Sequence, residues 1–482
     1  MNRPGEPNFN PSAAMASNPP AGSSAFSRGL LMLLWLWFGT VLSLNQPGHL
    51  TSDSLIQIAE GRTGFVDSWN PLFSSWVFGQ LVYWTDGTEV IVLLSTMMVT
   101  ASIWLLVSPG VSPGAYPGVG PGRRGALWVL LPCAALLFSP LLLVHPGIVW
   151  KDVWFAHSAA LAFGFIMWRA GGAPWWCELP ALLLLAVAML SRQTGIIVCT
   201  AALAGLSLAA PVPLWPRRPV WSRLLGFGLR MTIMVALAMG LNALAKDSMK
   251  AVRGDALGTG FQLVAIFDMA GILQRQPQAQ LALLRARGFE TAGWEAAARR
   301  TFSAERIDTL VQPPIIGPTA LGPKLVLQQW AQLVMQYPGT YLAHRLETYA
   351  WFGGLRDQAR CVPIHVGIDP PELADRAGIR KVPARWSAPL YSWSRDFLNT
   401  PYFAPLAWSA ASLLVLLFYL WRRQWAEPVA WMQVAGLLYS ASYLAAGLSC
   451  DFRYSYFSVL AASVGLMRML ADGLSLPRSQ HA

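Results

Sequence analysis

Charged residues are scarce in this chain of 482 residues, because Asp, Glu, Lys and Arg together make up only 12% of it. A soluble domain usually carries roughly 25% charged residues. Hydrophobic residues account for 54% of the chain, and 23 residues are tryptophan. This composition excludes a soluble protein and predicts one that is embedded in a lipid bilayer.

Metal-binding and redox motifs are also lacking. The five cysteines form no CxxC pair and have no histidine at zinc spacing, so we expect no metal, cofactor or redox motif. A net charge of +11 would suit nucleic acid if the basic residues lay on one face. Many of them lie instead in short loops between apolar runs, so we do not expect nucleic acid as a partner. Cys361 and Cys450 are expected on an oxidising side, and whether they pair is left open.

Apolar runs dominate the chain and predict an all-α polytopic membrane protein with about ten transmembrane helices. Several runs are shorter than the roughly 20 residues expected of a spanning helix. The first run lacks a cleavage signature and is interpreted as an uncleaved anchor. The ten predicted spans are 29–44, 88–107, 126–144, 153–168, 175–190, 195–210, 224–244, 402–421, 429–447 and 454–470.

These runs divide the chain into modules. Residues 1–28 are rich in Pro, Ser, Asn and Ala and predict a disordered cytoplasmic tail. The long polar region 246–400 is large enough to fold as a domain outside the membrane. Helical patterns at 278–306 and 324–351, the second broken near Tyr337, predict that this domain is mainly helical. The remaining modules are about seven helices at 29–245 with a first outer loop at 45–87, the outer domain at 246–400, about three helices at 401–472, and a cytoplasmic tail at 473–482.

The basic residues predict the orientation, because cytoplasmic loops are enriched in Lys and Arg. The predicted topology depends on the interpretation of two segments. The apolar run 71–84 has 14 residues and is taken as an interfacial or re-entrant helix. Residues 191–194 are taken to break the stretch 179–211 into two helices, because Arg192 buried in lipid would cost about 2.5–3.5 kcal/mol. With the N-terminus inside, the residues that fall in the cytoplasm are Arg123, Arg124, Arg169, Arg217, Arg218, Arg223, Arg422, Arg423 and Arg478.

Chemically active side chains gather in the four outer loops of this topology. A carboxylate there can act as a general base, while Lys and Arg can bind a phosphate and offset its charge. Each residue also has an ordinary structural explanation: an N-cap for Asp53, a helix-end pair for Asp451 and Arg453, or a helix end for His145. Their convergence favours one polar site. The residues are Asp53 with Glu60 and Asp67, then His145, Lys151 and Asp152, then Arg192, and finally Asp451 and Arg453.

Several short segments resemble poorly characterised bacterial members of the GT-C superfamily, the membrane glycosyltransferases that use polyprenyl-phosphate sugars. An Asp soon after the first span, a juxtamembrane helix and seven spans before a large outer domain are similar to that fold. The segments are IVWKDVWF at 148–155, SRQTG at 191–195, FDMAGI at 267–272, YPGTYLAHR at 337–345 and DFRY at 451–454.

The resemblance implies an inverting transfer on the outer face of a bacterial inner membrane, with both termini cytoplasmic and the large loop periplasmic. Asp53 would deprotonate or orient the acceptor, a glycan, glycolipid or protein, and Asp152 would position Lys151 or the acceptor. Lys151, Arg192 and Arg453 would hold the phosphate of the polyprenyl-phosphate-sugar donor. The remaining substrate-binding candidates are Asp451, His145 and Arg345.

Departures from the family pattern limit this resemblance. Asp53 is followed by Ser54, whereas the O-mannosyltransferases carry an Asp-Glu pair there. The chain has no DxD motif for a metal and no WWD motif of oligosaccharyltransferases. The alternatives are a transporter or flippase, whose charges would lie near the midplane on broken helices, an O-antigen ligase or polymerase, and a non-enzymatic scaffold.

Overall fold

The computed structural model describes residues 21–66, 70–108, 123–211, 219–252, 256–310, 321–380 and 385–473. Some predictions concern residues outside these ranges. They include most of the N-terminal tail, the C-terminal tail after residue 473, Asp67, Arg217, Arg218 and Arg478.

The described chain is almost entirely α-helical, as the composition predicted. The first half contains α1 (Ala21–Asn45), α2 (Ser52–Thr63), α3 (Leu72–Thr85), α4 (Glu89–Val107), α5 (Arg123–Leu137), α6 (Pro140–Val144), α7 (Lys151–Ala170), α8 (Glu178–Ser191), α9 (Gly195–Ala209) and α10 (Pro219–Asp247). The second half contains α11 (Ala256–Arg275), α12 (Ala282–Ala286), α13 (Thr291–Thr301), α14 (Pro323–Gln336), α15 (Pro338–Phe352), α16 (Pro371–Ala377), α17 (Ser387–Arg395), α18 (Pro405–Trp421), α19 (Pro428–Ala446) and α20 (Tyr456–Gly473).

Each of the ten predicted apolar runs is helical. Five helices in the described residues are long and apolar enough to cross a membrane, or six if α5 and α6, bent by 64° at their junction, form one span. Helices α8, α9 and α18 are apolar but shorter. Helix α7 has 20 residues, and Lys151, Asp152 and His157 lower its hydropathy. The number of ten spans stays a prediction. Helix α1 begins at Ala21, before the predicted boundary at residue 28, and its buried Phe26 extends the apolar face toward the N-terminus.

Two interpretations of local structure are confirmed. Residues 71–84 form a helix of their own, α3, although its relation to a membrane surface stays a prediction. Helices α8 and α9 are separate, with Arg192 at the C-cap of α8. The break near Tyr337 also lies where expected, between α14 and α15. The helical patterns missed α11, which lies in the polar region.

Helices α2 and α3 pack unusually close to each other. A side chain on Gly61 would collide with the backbone of α3 at Ser75 and Gly79, so both glycines permit the contact. The Ser75 hydroxyl donates to the Glu60 carboxylate at 2.9 Å. Directly after α2, strand β1 (Phe65–Val66) pairs in parallel with β2 (Ala251–Val252), which follows α10.

Within the described ranges, three apolar cores hold the helices together. The largest core packs α1, α4–α9 and α18–α20. A second core lies within the polar region and joins α11, α12, α13 and α14. A third core joins α2 and α3 to α16, with Leu55, Phe78 and Ala374 at its centre. The region 246–400 therefore contributes to at least two cores, and one of them is shared with the first loop.

Candidate functional site

Arg453 is the centre of a buried ion network. It lies in a short 3-10 turn, Phe452–Ser455, just before α20, and its side chain is 14% exposed. Its Nη1 lies 2.6 Å from Asp53 Oδ2, its Nη2 3.1 Å from Asp451 Oδ2, and its Nε 3.9 Å from Asp152 Oδ2. Asp53 and Arg453 are 400 positions apart in the chain. One guanidinium thus joins carboxylates from three of the four predicted loops.

Arg192 extends this network through Asp152. Asp152 lies in the first turn of α7, is 1% exposed, and forms an ion pair with Arg192 Nη1. The Arg192 guanidinium lies over the Tyr454 ring, 4.4 Å from its centroid, and donates to the Tyr443 hydroxyl at 2.5 Å. Arg192 is therefore held by a carboxylate and two aromatic rings, which explains how a cation is accommodated between two apolar helices.

Lys151 lies next to the network and is oriented by amides. Its Nζ donates to Asn70 Oδ1 at 2.6 Å, and the same oxygen accepts from Gln57 Nε2 at 3.1 Å. Lys151 is 6% exposed and opens α7. Lys151 Nζ is thus held by Asn70, which Gln57 of α2 orients in turn.

A cavity of about 390 Å³ adjoins these cations. Lys151 and Arg192 line its polar part together with the hydroxyl-bearing Tyr443 and Tyr454. Asp53 and Arg453 are not among the lining residues, but Tyr454 directly follows Arg453. The apolar part of the lining comes from α9, from α11 and from residues at and just after the end of α19. It consists of Ile196, Ile197, Phe261, Leu263, Val264, Ala446 and Leu448.

Asp53 is charged because of its neighbours. Thr51 is the N-cap of α2, and its backbone N–H donates to Ser54 Oγ at 3.2 Å, so Asp53 is not needed as a cap. Burial alone would raise the pKa of Asp53, but the positive charges of Arg453 and Lys151 and the hydrogen bond from Arg453 outweigh it and lower the pKa. Asp53 is therefore ionised at neutral pH.

Two predicted substrate-binding residues lie elsewhere. His145 is fully buried, stacks on Tyr456 with ring centroids 4.5 Å apart, and has its Nδ1 3.1 Å from the Leu141 carbonyl. Arg345 is buried in α15 and pairs with Asp268. Neither side chain belongs to the ion network or lines the cavity, because each is enclosed by its own partners.

Sequence reasoning missed several polar neighbours of the network. Asn70 directly precedes the apolar run of α3, and this position is the only signal that could have marked it. Asp308, in a short 3-10 helix after α13, is exposed. Partial desolvation of its carboxyl and the nearby Asp451 charge raise the pKa of Asp308, while Arg306 and Arg453 oppose them. No sequence pattern marked Asp308.

A disulfide lies directly before the ion network in the chain. Cys361 and Cys450 form a disulfide with Cα atoms 5.0 Å apart, so Cys450 is cross-linked one residue before Asp451. Among the described residues, no group of three His, Cys, Asp or Glu side chains is placed to hold a metal ion.

No protein family, curated protein or solved structure matches this chain. The resemblance to GT-C glycosyltransferases therefore rests on the short motifs. Three of them, at 148–155, 191–195 and 451–454, supply Asp152, Arg192 and Arg453 to the ion network. The motifs at 267–272 and 337–345 lie outside it.

Proposed function

We propose that this protein is a membrane glycosyltransferase of the GT-C type, which moves a sugar from a polyprenyl-phosphate donor to an acceptor hydroxyl. The observation that carries the proposal is the cavity whose lining combines Lys151 and Arg192 with seven apolar residues. The ionised Asp53 lies outside this lining and is joined to Arg192 through Arg453 and Asp152.

The cavity suits an amphiphilic phosphate. Its volume of about 390 Å³ lies within the range of roughly 300–1,000 Å³ typical of ligand pockets. Arg192 and the amine of Lys151 favour a phosphate at the polar part, and the partly exposed apolar residues favour a hydrocarbon chain that would cover them. Phe261 is 59% exposed and Ile196 is 41% exposed, so the apolar part of the lining continues to the protein surface. A long prenyl chain would leave the cavity along these residues.

The chemistry would be a single displacement. The acceptor oxygen forms a bond to the anomeric carbon of the sugar, and the bond from that carbon to the phosphate oxygen breaks. The polyprenyl phosphate leaves, and the acceptor proton passes to Asp53. Lys151, Arg192 and Arg453 would stabilise the charge that develops on the phosphate. Arg453 weakens Asp53 as a base while it is paired, so movement of Arg453 toward the phosphate would strengthen it.

The disulfide supports an extracytoplasmic site. Disulfides persist in oxidising compartments and are rare in the cytosol. Because Cys450 directly precedes Asp451, the oxidising side is also the side of the ion network. This agrees with the orientation predicted from the basic loops.

Lipid binding tests the proposal directly. Native mass spectrometry of the detergent-solubilised full chain would compare undecaprenyl phosphate with undecaprenol, which lacks the phosphate. We expect a preference for the phosphate lipid that is lost in the Lys151→Ala/Arg192→Gln variant. Lys250→Ala is the matched control, because Lys250 is an exposed lysine that stacks on Phe65 away from the cavity.

A wild-type protein that binds both lipids equally would contradict the proposal. The second measurement is the envelope glycan profile of a strain that carries Asp53→Asn. We expect a missing or altered glycan at normal protein abundance. Unchanged glycans would exclude Asp53 as the base.

A further inference from the structure

Two of the sequence motifs meet in one buried cluster whose members do not line the cavity. Asp268, from the motif at 267–272, is fully buried. Its carboxylate accepts from Arg345 Nη2 at 2.7 Å and from Trp330 Nε1 at 2.8 Å, and lies 2.9 Å from His344 Nε2. Gly271 makes room for this arrangement, because a side chain there would collide with the His344 ring. The motif at 337–345 thus supplies both His344 and Arg345.

Arg345 connects this cluster to the end of α19. While Nη2 binds Asp268, Nη1 donates to the Gly447 carbonyl at 2.8 Å. Arg345 is 2% exposed. A buried guanidinium that donates to both a carboxylate and a backbone carbonyl fixes the distance between them, because its donors have a rigid planar geometry.

The residues that follow Gly447 are held by backbone hydrogen bonds to the chain just after α13. The Ile307 N–H donates to the Leu448 carbonyl at 2.8 Å, and the Cys450 N–H donates to the Glu305 carbonyl at 2.8 Å. Cys450 also carries the disulfide to Cys361. We call residues 447–450 the tethered segment.

The tethered segment leads directly into the ion network. Asp451 follows it, and Arg453 comes two residues later with its three carboxylate contacts. A shift at Gly447 or Cys450 would therefore move Arg453 relative to Asp53. Replacement of a buried ion pair by apolar residues is often neutral for stability, so stability alone does not explain a buried charge at Arg345.

We propose that Arg345 is a positioning residue, which with Asp268 and the Cys361–Cys450 disulfide holds the tethered segment so that Arg453 can meet the donor phosphate. The inference rests on the proposed function. It assigns to Arg345 an indirect role, in place of the direct substrate contact that the sequence suggested.

The test measures lipid affinity and thermal stability separately in the full chain. The probe is undecaprenyl phosphate, titrated below the unfolding temperature of every variant. In metal sites, loss of a residue that only orients a ligand typically costs 10–100-fold in affinity. Arg345 has a similar indirect role here, so we expect Arg345→Met to weaken binding of undecaprenyl phosphate by about tenfold or more. Arg345→Lys should restore part of the affinity, because Lys can still donate to Gly447 or Asp268.

Arg230→Met is the matched control. Arg230 is another buried arginine, with its Nη2 2.8 Å from Glu178 Oε1. Glu178 begins α8, whereas Arg192 caps its other end, so this pair lies at the far end of the same helix. We expect Arg230→Met to lower the unfolding temperature and to leave the affinity for undecaprenyl phosphate unchanged.

A second variant keeps the inference testable if Arg345→Met does not fold. The double variant Cys361→Ala/Cys450→Ala removes the disulfide and should also weaken binding of the phosphate lipid. Wild-type affinity in a folded Arg345→Met variant, or in the double cysteine variant if Arg345→Met does not fold, would overturn the inference. Failure of the proposed function would differ, because wild-type protein would then show no preference for undecaprenyl phosphate over undecaprenol.

Discussion

Removal of Arg453 should expose how strongly its three carboxylates depend on it. In Arg453→Met, Asp53 and Asp451 lose a partner at 2.6 Å and 3.1 Å, and Asp152 keeps only Arg192. Breaking a buried ion pair by removing one partner costs about 3–5 kcal/mol, because a charge is left without compensation. We expect a loss of that size in the free energy of unfolding.

Asp53→Asn should partly rescue this loss. Alone, it weakens a charged hydrogen bond and should cost about 1.5–3 kcal/mol. In the Arg453→Met background it instead removes an unpaired carboxylate that is only 22% exposed. The double variant should therefore lose less than the sum of the single variants, by about 1–3 kcal/mol.

Unfolding by SDS titration in mixed micelles, followed by far-ultraviolet circular dichroism, would supply the four free energies of this cycle. Asp53→Asn combined with Arg230→Met provides the control, because Arg230 pairs with Glu178 and shares no partner with Asp53. Those two changes should add within about 0.5 kcal/mol. Additivity in the Asp53 and Arg453 cycle itself would refute the ion network as an energetic unit.

Two further predictions concern pH and packing. The pKa of Asp53 is lowered in the folded protein, so its ionised form stabilises the fold above its ordinary pKa of 3.8, and this contribution is lost as the pH falls through the folded value. The difference in unfolding free energy between wild type and Asp53→Asn should therefore be complete near neutral pH and shrink in acid. A difference that grows in acid would contradict the lowered pKa. Gly61→Ala should destabilise the protein by about 1–3 kcal/mol through overpacking. The control is Gly39→Ala in α1, where a side chain meets nothing within 4 Å, and it should be neutral or stabilising by up to about 1 kcal/mol. Equal unfolding temperatures of the two variants would argue against the close contact of α2 with α3.

Sequence reasoning anticipated the helices better than their contacts. Apolar length marks a helix without knowledge of its neighbours, so all ten runs are helical and the break at Arg192 lies where expected. The loops that carry Asp53, Asp152 and Arg453 were grouped by predicted depth alone. Which carboxylate faces which guanidinium depends on helix packing, which periodicity does not encode.

Other features had a weaker signal or none. The pairing of Cys361 with Cys450 bridges 89 positions, and sequence spacing alone does not determine such a contact. Arg345 and Asp268 both lay within noted motifs, yet no local rule predicts that they meet across helices α15 and α11. His145 stands near Lys151 in the chain but turns into the apolar core, where Tyr456 covers its ring.

The places where helices begin and end around Arg453 have an electrostatic consequence of their own. A helix N-terminus carries roughly half a positive charge and a C-terminus roughly half a negative one. The C-terminal ends of α8 and α19 have basic partners, Arg192 and Arg345. The beginnings of α9 and α20 have no acidic residue in their first turns. The four half charges sum to about zero, as the three acidic and three basic side chains do. The two negative ends already have cations beside them, whereas the beginnings of α9 and α20 carry no carboxylate of their own, so an incoming anion can approach these two helices without displacing one.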